Sequence, residues 1–386
     1  MRIVLVLERF DRNGGGLEQW AWHVVQALRQ RGHSVTVLAF YAPEAPPEGV
    51  RIHLLEWHES RLRRARAADL ALAETGLQAD VVHDVGVGSS ADILHPQMGS
   101  RLANYRREIA SLNVARRWLA KFHLSRRRWL REVRQLEEQQ YREVSGLVVA
   151  VSRMVAADLW QYHAVQPDRI RLVPNGVDLL RFAPPSPKLR SQLREQFGFS
   201  GKTVFLFAAH NPRLKGLGPL LQAFSRALGK EPGLFLVVLA KPAAEYRRFV
   251  QRHDLQHAVV FPGLVSDVTP WFSAADAFVL PTFYDACSLT VLEACASGLP
   301  VITTKSNGAS ELLTDGREGR IIEKAEDIPA LTTALLELAN PDVRARRREH
   351  ALELAGRCGL ERNVSELEKV YAEAVRLRTP EESSAR

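Results

Sequence analysis

Residues 281–311 constrain the fold more than any other stretch of this 386-residue chain. They read PTFYDACSLTVLEACASGLPVITTKSNGASE. Ala277, Phe278, Val279 and Leu280 form an apolar run of strand length that Pro281 stops, and a short polar loop carrying Asp285 follows. A helix then starts near Ser288 and ends at Gly298, Leu299 and Pro300, after which Val301 and Ile302 open a further strand. Strand, loop, helix and strand in that order make one unit of a parallel α/β sheet, where ligands sit beyond the carboxyl ends of the strands. Leu289, Leu292 and Ala296 make the helix apolar. Glu293 among them is therefore either turned inward and in need of hydrogen-bond partners, or solvated. An anion would lie naturally on the amides of Ser288, Leu289 and Thr290, and a neighbouring carboxylate can grip a diol because its two oxygens accept from two hydroxyls. The plainer alternative is that Asp285 merely favours a helix start while Glu293 faces water.

This stretch resembles the acidic signature of the family 4 retaining glycosyltransferases: a carboxylate, seven residues, a glutamate, then a Gly-Leu-Pro-Val turn. Asp285, Glu293, Gly298, Pro300 and Val301 carry the resemblance. It implies that Asp285 contacts the donor sugar and that Glu293 binds the ribose diol of its nucleotide. Two positions depart from the family's usual pattern, with Asp285 in place of Glu and Ser288 in place of Gly. A shorter acid reaches less far, and a Cβ crowds the approach of a phosphate.

The length suggests two domains rather than one core. A hydrophobic content of 46% and a mean hydropathy of −0.16 fit a globular protein with ample core. Cys287, Cys295 and Cys358 show no metal-ligand spacing, and their odd number argues against a disulfide framework, which points to a reducing cytoplasm. The apolar run from Ile3 to Leu7, ended by Glu8, is too short for a signal-peptide core and reads as a first strand. No run approaches the ~18 apolar residues of a membrane span. A net charge of +8 and an isoelectric point near 9.6 favour anionic surfaces, whether nucleic acid, acidic lipid or phosphorylated glycan.

In the first half, a strand over residues 2–7 leads to Gly14, Gly15 and Gly16 and then to an amphipathic helix ending at Arg31, Gly32 and His33. Glycine lets the backbone approach a bound group, although a plain flexible turn reads equally well. This opening also resembles that of many family 4 enzymes, which implies that Gly15 and Gly16 lie near the donor phosphate. Residues 80–84 read as a buried strand whose carboxyl end carries His83 and Asp84. A strand-end histidine can be purely structural; the resemblance, to relatives that build lipopolysaccharide cores, places His83 beside the donor sugar. Asp92 and His95 could be structural or touch the acceptor.

Residues 101–142 hold eleven arginines and Lys121, enough to account for the chain's positive excess. Trp118, Phe122, Trp129 and Val133 fall on one helical stripe. Aromatics flanked by arginines suggest an interfacial helix on an anionic membrane or glycan surface. The alternative is a packed helical pair with arginines solvated or paired to Glu132, Glu137 and Glu138. No nucleic-acid reader motif accompanies the charge. Ser152 is placed to cap a following helix, and the run Ala183-Pro184-Pro185-Ser186-Pro187 reads as the linker.

In the second half, residues 204–208 form a strand followed by Arg213, Lys215 and Gly216 before a helix. Two cations at a helix start oppose its dipole, which makes sense if an anion sits between them, with Arg213 forking onto oxygens and Lys215 as a point charge. A solvated basic turn is the alternative. Similar enzymes carry a basic pair here that neutralises a leaving diphosphate. Gly263 and Leu264 follow a strand where the family's backbone meets the nucleotide base. Asn307 to Glu311 read equally as a helix cap or a sugar contact.

The resemblance runs from Gly14 to the last helix and implies an α/β protein of two doubly wound, Rossmann-like domains facing a cleft, the GT-B architecture. Residues 1–180, joined by a crossing helix at 360–378, would bind the acceptor, and residues 181–359 the nucleotide sugar. The implied reaction is retaining transfer of a hexose, commonly from a UDP-sugar, by Asp285, Glu293, Arg213, Lys215 and His83. Gly15, Gly16, Leu264, Ser288, Leu289 and Thr290 would complete the donor site. No cofactor or metal is implied, since no Asp-x-Asp triplet is present. The acceptor expected is a lipid-linked or lipopolysaccharide-core glycan, met by a peripheral enzyme on the inner membrane face. A small soluble acceptor such as a sugar phosphate, or a non-catalytic sugar-nucleotide or glycan-binding relative, are the alternatives.

Overall fold

Apolar runs that lack polar alternation become strands covered on both faces. Ile3, Val4, Leu5, Val6 and Leu7 are all 3% exposed or less, and Ala277 to Leu280 1% or less. The computed structural model describes residues 1–74, 78–110, 112, 124–143 and 146–378. They divide into one unit of Met1–Pro174 with the final helix, and a second of Asn175–Gly359.

The first unit runs β1 (Arg2–Arg9), α1 (Gly16–Gln30), β2 (Ser34–Tyr41), β3 (Arg51–Leu54), α2 (Arg61–Glu74), β4 (Val81–Asp84), β5 (Ile93–Leu94), α3 (Arg101–Ala110), α4 (Leu124–Glu143), β6 (Leu147–Ala150), α5 (Arg153–His163) and β7 (Ile170–Leu172). Its sheet has the order β3-β2-β1-β4-β5-β6-β7. All pairings are parallel, with Leu5 opposite His83.

The second unit runs α6 (Pro187–Gln196), β8 (Thr203–Ala208), α7 (Leu217–Leu228), β9 (Leu234–Leu239), α8 (Ala244–Arg252), β10 (Val259–Val260), α9 (Thr269–Ala274), β11 (Ala277–Leu280), α10 (Leu289–Ala296), β12 (Val301–Thr304), β13 (Gly319–Ile322), α11 (Ile328–Glu337) and α12 (Pro341–Gly356). Its sheet is β10-β9-β8-β11-β12-β13, again parallel throughout. Each order reverses once, at β1/β4 and at β8/β11, which is where a doubly wound sheet opens a crevice at its carboxyl edge.

The expected crossing helix is α13 (Leu360–Arg378), and it packs on the first unit through polar contacts. Trp20 Nε1 donates to Asn363 Oδ1 at 3.1 Å, Arg31 pairs with Glu368 at 2.6 Å, and Arg171 Nε donates to Glu373 at 2.8 Å. The expected linker at 183–187 is corrected. The division falls at Pro174, and the proline run is a helix start, with Ser186 accepting the Leu189 amide at 3.2 Å and Pro187 as the first residue of α6. Proline's fixed φ and missing N–H suit that position.

The basic stretch is also corrected in its described part. Val133 and Leu136 are buried, and Trp129 packs against Tyr105 with ring centroids 5.2 Å apart, so this stripe faces protein rather than lipid. Two acids dock α4. Glu137 caps α3 by accepting the amides of Arg101 and Leu102 at 2.6 and 3.1 Å, and Glu132 accepts the Ser60 hydroxyl at the start of α2. Arg127, Arg128, Arg131 and Arg134 remain exposed. Trp118, Lys121 and Phe122 lie outside the described residues.

Gly216 closes the loop between β8 and α7 with φ at +83°, and a Cβ there would stand 1.9 Å from the carbonyl oxygen of Pro281. Gly263 has φ of +95° but open space around it. Gly216→Ala should therefore cost about 2–4 kcal/mol, from the left-handed backbone plus a forced shift, and Gly263→Ala about 1 kcal/mol. Urea denaturation of the two variants checks the order.

Candidate active site

The second unit's site grows from the two loops that leave β8 and β11. Phe283 N donates to Leu214 O at 2.8 Å, and the buried Thr282 hydroxyl lies 3.2 Å from the same carbonyl oxygen, which ties the loops together. Beyond them the chain runs beside the segment after β12. Asp285 N donates to Ser306 O at 3.0 Å and Gly308 N to Asp285 O at 2.8 Å, a single parallel bridge to Asn307. Asn307 is fully buried. Its Oδ1 accepts the amides of Ser288 and Ala309 at 3.2 and 3.1 Å, and its Nδ2 donates to Thr303 Oγ1 at 3.0 Å. The cap reading of Asn307 thus describes its contacts, with the addition that it holds Ser288 as well.

Within this frame Lys215 Nζ lies 2.7 Å from Asp285 Oδ2 and donates to Tyr284 O at 3.0 Å. Arg213 sits half-buried two residues earlier in the same loop. The eight residues of α10 begin at Leu289, so the Leu289 and Thr290 amides lead the helix. Ser288 corrects one expectation. Its amide is taken by Asn307, its side chain does not cap the helix, and its hydroxyl pairs with Thr290 Oγ1 at 2.9 Å. An anion at this helix start would meet the Leu289 and Thr290 amides rather than three. Leu264 follows β10 and is 57% exposed.

Glu293 projects from the second turn of α10 and is half-buried, with no hydrogen bond or ion pair to any described residue. Burial pushes its carboxyl up to about 7, against the pull of the Arg181 guanidinium. A carboxylate drawn partly out of water with no bonding partner among the described residues is costly, and two donor hydroxyls would relieve that cost. The arrangement can therefore bind an anion at Lys215 and the leading amides of α10, and a diol at Glu293.

The first unit departs from expectation at His83. The ring is fully buried, with Nδ1 2.8 Å from Tyr371 Oη and Nε2 3.0 Å from His95 Nδ1. His95 is equally buried and 3.3 Å from Gln97 Nε2. Burial drives His83 down to about 3 and His95 well below the usual histidine range, so both rings stay neutral. His83 is a link in a closed polar chain, not a group presented to a sugar. Asp92 is likewise structural, accepting Val82 N at 2.7 Å and pairing with Arg378 at 3.0 Å. Asp84, placed at the strand end by the sequence but given no role there, has a buried carboxyl that accepts the amides of Gly86, Val87 and Gly88 at 2.6, 2.5 and 2.7 Å. Its burial raises it to about 6 despite those bonds. A carboxylate at a strand end followed by two glycines was the available signal. Gly15 precedes the first residue of α1, Gly16, at the carboxyl edge of β1.

Two outcomes follow. Glu293 has its carboxyl raised in the folded state, so its ionisation penalty is absent below about pH 4.5, grows as pH rises, and is complete above about 7. Glu293→Gln should leave stability unchanged at pH 4.5 and raise it at pH 8 by about 3 kcal/mol, read by denaturant midpoints at both pH values. His83→Phe keeps a ring but strands the Tyr371 hydroxyl and one His95 nitrogen, which should cost about 2–4 kcal/mol by the same measurement. An unchanged midpoint would mean that the buried chain is not what holds α13 to β4.

Two family models match the chain, one described as Glycosyltransferase Family 4 over residues 14–181 and one as Glycosyl transferases group 1 over residues 201–341. A D-inositol 3-phosphate glycosyltransferase of Arthrobacter sp. (strain FB24) is 31% identical over 219 residues, 53% of this chain and 51% of that protein. A GDP-mannose-dependent alpha-(1-6)-phosphatidylinositol monomannoside mannosyltransferase of Mycolicibacterium smegmatis is 32% identical over 199 residues, 48% of this chain and 50% of that protein. The chain thus spans about half the length of these curated relatives. The crystal structure of WaaG, described as a glycosyltransferase involved in lipopolysaccharide biosynthesis, matches with a TM-score of 0.77 over 98% of this chain and 100% of that one, at 19% identity. Anabaena HepE, solved with UDP and glucose, matches with a TM-score of 0.74 over 96% and 99% at 16% identity. At those identities the likeness speaks to the fold alone, which is GT-B; the two family models, which between them match most of the chain, show that it belongs to the family 4, group 1 glycosyltransferases.

Proposed function

We propose that this chain transfers a hexose from a nucleoside-diphosphate sugar to a glycan acceptor with retention of anomeric configuration. The observation that carries the reading is Glu293, a half-buried carboxyl with no hydrogen-bond or ion-pair partner among the described residues, on the helix whose leading amides follow the Lys215–Asp285 pair. Glu293 would accept from the two ribose hydroxyls. Lys215, Arg213 and the amides of Leu289 and Thr290 would stabilise charge growing on the leaving diphosphate, an electrostatic contribution set up before the reaction. Asp285, freed from Lys215 as the diphosphate takes over that cation, would accept from a hydroxyl of the donor sugar. The acceptor hydroxyl attacks on the face of the leaving group, whose diphosphate takes the proton, so no separate carboxylate base is required. The positive charge comes from side chains, a role a metal fills in other transferases.

A UDP-sugar donor is supported by HepE, which was solved with UDP and with UDP-glucose. The GDP-mannose-dependent relative supports a guanosine donor instead. For the acceptor, the likeness to WaaG and the exposed Arg127, Arg128, Arg131 and Arg134 support a lipid-linked or lipopolysaccharide-core glycan met peripherally at an anionic membrane face on the cytoplasmic side. No helix among the described residues is long and apolar enough to cross a membrane. A second reading, transfer to a small soluble phosphorylated acceptor, is favoured by the relatives named D-inositol 3-phosphate glycosyltransferases.

A thermal-shift panel of UDP-, GDP- and ADP-sugars should show one donor raising the melting temperature by mass action. Hydrolysis of that donor should fall at least about a hundredfold in kcat with Lys215→Ala and become undetectable with Glu293→Ala. Turnover surviving both changes would overturn the assignment. Flotation with anionic vesicles that is lost on Arg127→Ala/Arg128→Ala/Arg131→Ala separates the membrane acceptor from the soluble one.

A further inference from the structure

The second unit has a pocket that the proposed function leaves unexplained. It occupies about 500 Å³ and is lined by Asp315, Arg317, Glu337, Arg346, Arg347 and His350 among others. Asp315 and Arg317 immediately precede β13, and Glu337 ends α11 after it, so in an all-parallel sheet they mark the amino edge. The residues of the donor site leave the carboxyl ends of β8 and β11. The two places lie at opposite edges of one sheet, and a single small ligand does not reach both.

The charges of this pocket are unevenly matched. Arg320 lies 3.5 Å from both Asp315 and Glu337, and Arg347 pairs with Glu337 through Nη2, so both lining acids already have cations. Arg317 is held by Glu353 at 2.6 Å. Arg346 is exposed and makes no hydrogen bond or ion pair with a described residue. Arg347 is only 6% exposed, yet its Nη1 has no hydrogen-bond partner. A buried guanidinium nitrogen without an acceptor costs free energy, which a turn of the Arg347 side chain onto a ligand oxygen would remove. The fork of a guanidinium matches phosphate oxygens, and carboxylates that keep spare lone pairs accept from hydroxyls.

We propose that this pocket is a second ligand site for a phosphorylated polyol such as a sugar phosphate. The phosphate is met by Arg346, Arg347 and His350, and the hydroxyls by Asp315 and Glu337. The volume falls in the range of small-molecule sites. Binding at the amino edge, through loops joined to β13 and α11, leaves the donor residues free, so both ligands can be held at once.

Calorimetry on the full chain tests it, with glucose 6-phosphate as the probe and glucose and inorganic phosphate as controls. Saturable binding of glucose 6-phosphate is expected, at least about tenfold tighter than inorganic phosphate, with none for glucose. Arg346→Ala/His350→Ala, at partly exposed positions that the fold does not need, should weaken it at least about tenfold, while Lys215→Ala leaves it unchanged. No saturable binding, or binding indifferent to Arg346→Ala/His350→Ala, overturns the site. Loss in Lys215→Ala also overturns it, because the anion then sits at the donor residues. Equal affinity for inorganic phosphate overturns the role given to Asp315 and Glu337.

Discussion

A single amide side chain holds the second unit's site in shape. Asn307 has no solvent exposure, and its three hydrogen bonds reach Ser288, Ala309 and Thr303, one partner on each of the segments that must stay together. With the main-chain bridge from Asp285 to Asn307, these bonds hold the two segments side by side beyond the carboxyl ends of β11 and β12. That arrangement fixes where α10 begins and therefore where its leading amides point. The sheet supplies the edge; Asn307 decides what is presented there. Buried amides that are fully satisfied carry this kind of specification well, because any other backbone arrangement leaves them unpaired.

The two carboxylates on this frame are in opposite electrostatic states. Asp285 has a cation at 2.7 Å, and Glu293 has none at bonding distance and is pushed towards neutrality by burial. The shorter acid at position 285 is consistent with this pairing, since it is already engaged by a lysine seventy residues away in sequence. The Lys215–Asp285 pair is closed on itself, and Glu293 is the acid left without a side-chain hydrogen bond or ion pair among the described residues.

The parts legible in the sequence were those governed by neighbours. The strand, loop, helix and strand around residues 277–304 followed from an apolar run, a proline and a glycine turn, and the Ser152 cap followed from residue type, with its bond to Val155 N at 3.2 Å. What was not legible depends on distant partners. His83 reads as an edge residue until Tyr371, 288 positions later, closes on its ring. Ser288 reads as a free anion-binding amide until Asn307 takes it. The two-residue strand β5 carries too little periodicity to be seen, and the proline run at 183–187 gives the same composition signal whether it is a linker or a helix start.

The chain's positive charge shows why composition points to a partner only weakly. Many of its arginines face inward onto carbonyl oxygens at the ends of elements. Arg194 donates to Ala274 O, Phe199 O and Lys202 O, Arg190 to Ser273 O and Ala275 O, and Arg344 to Leu338 O and Ala339 O. A guanidinium with five donors satisfies several such orphan carbonyls at once, which a lysine cannot do in that fixed geometry. Arginines used this way raise the isoelectric point without offering charge to a surface. By contrast Arg127, Arg128, Arg131 and Arg134 on α4 are exposed, and the opposite face of that helix is docked by Glu132, Val133 and Glu137. The buried stripe behind the arginine face, Val133 and Leu136, holds it in place.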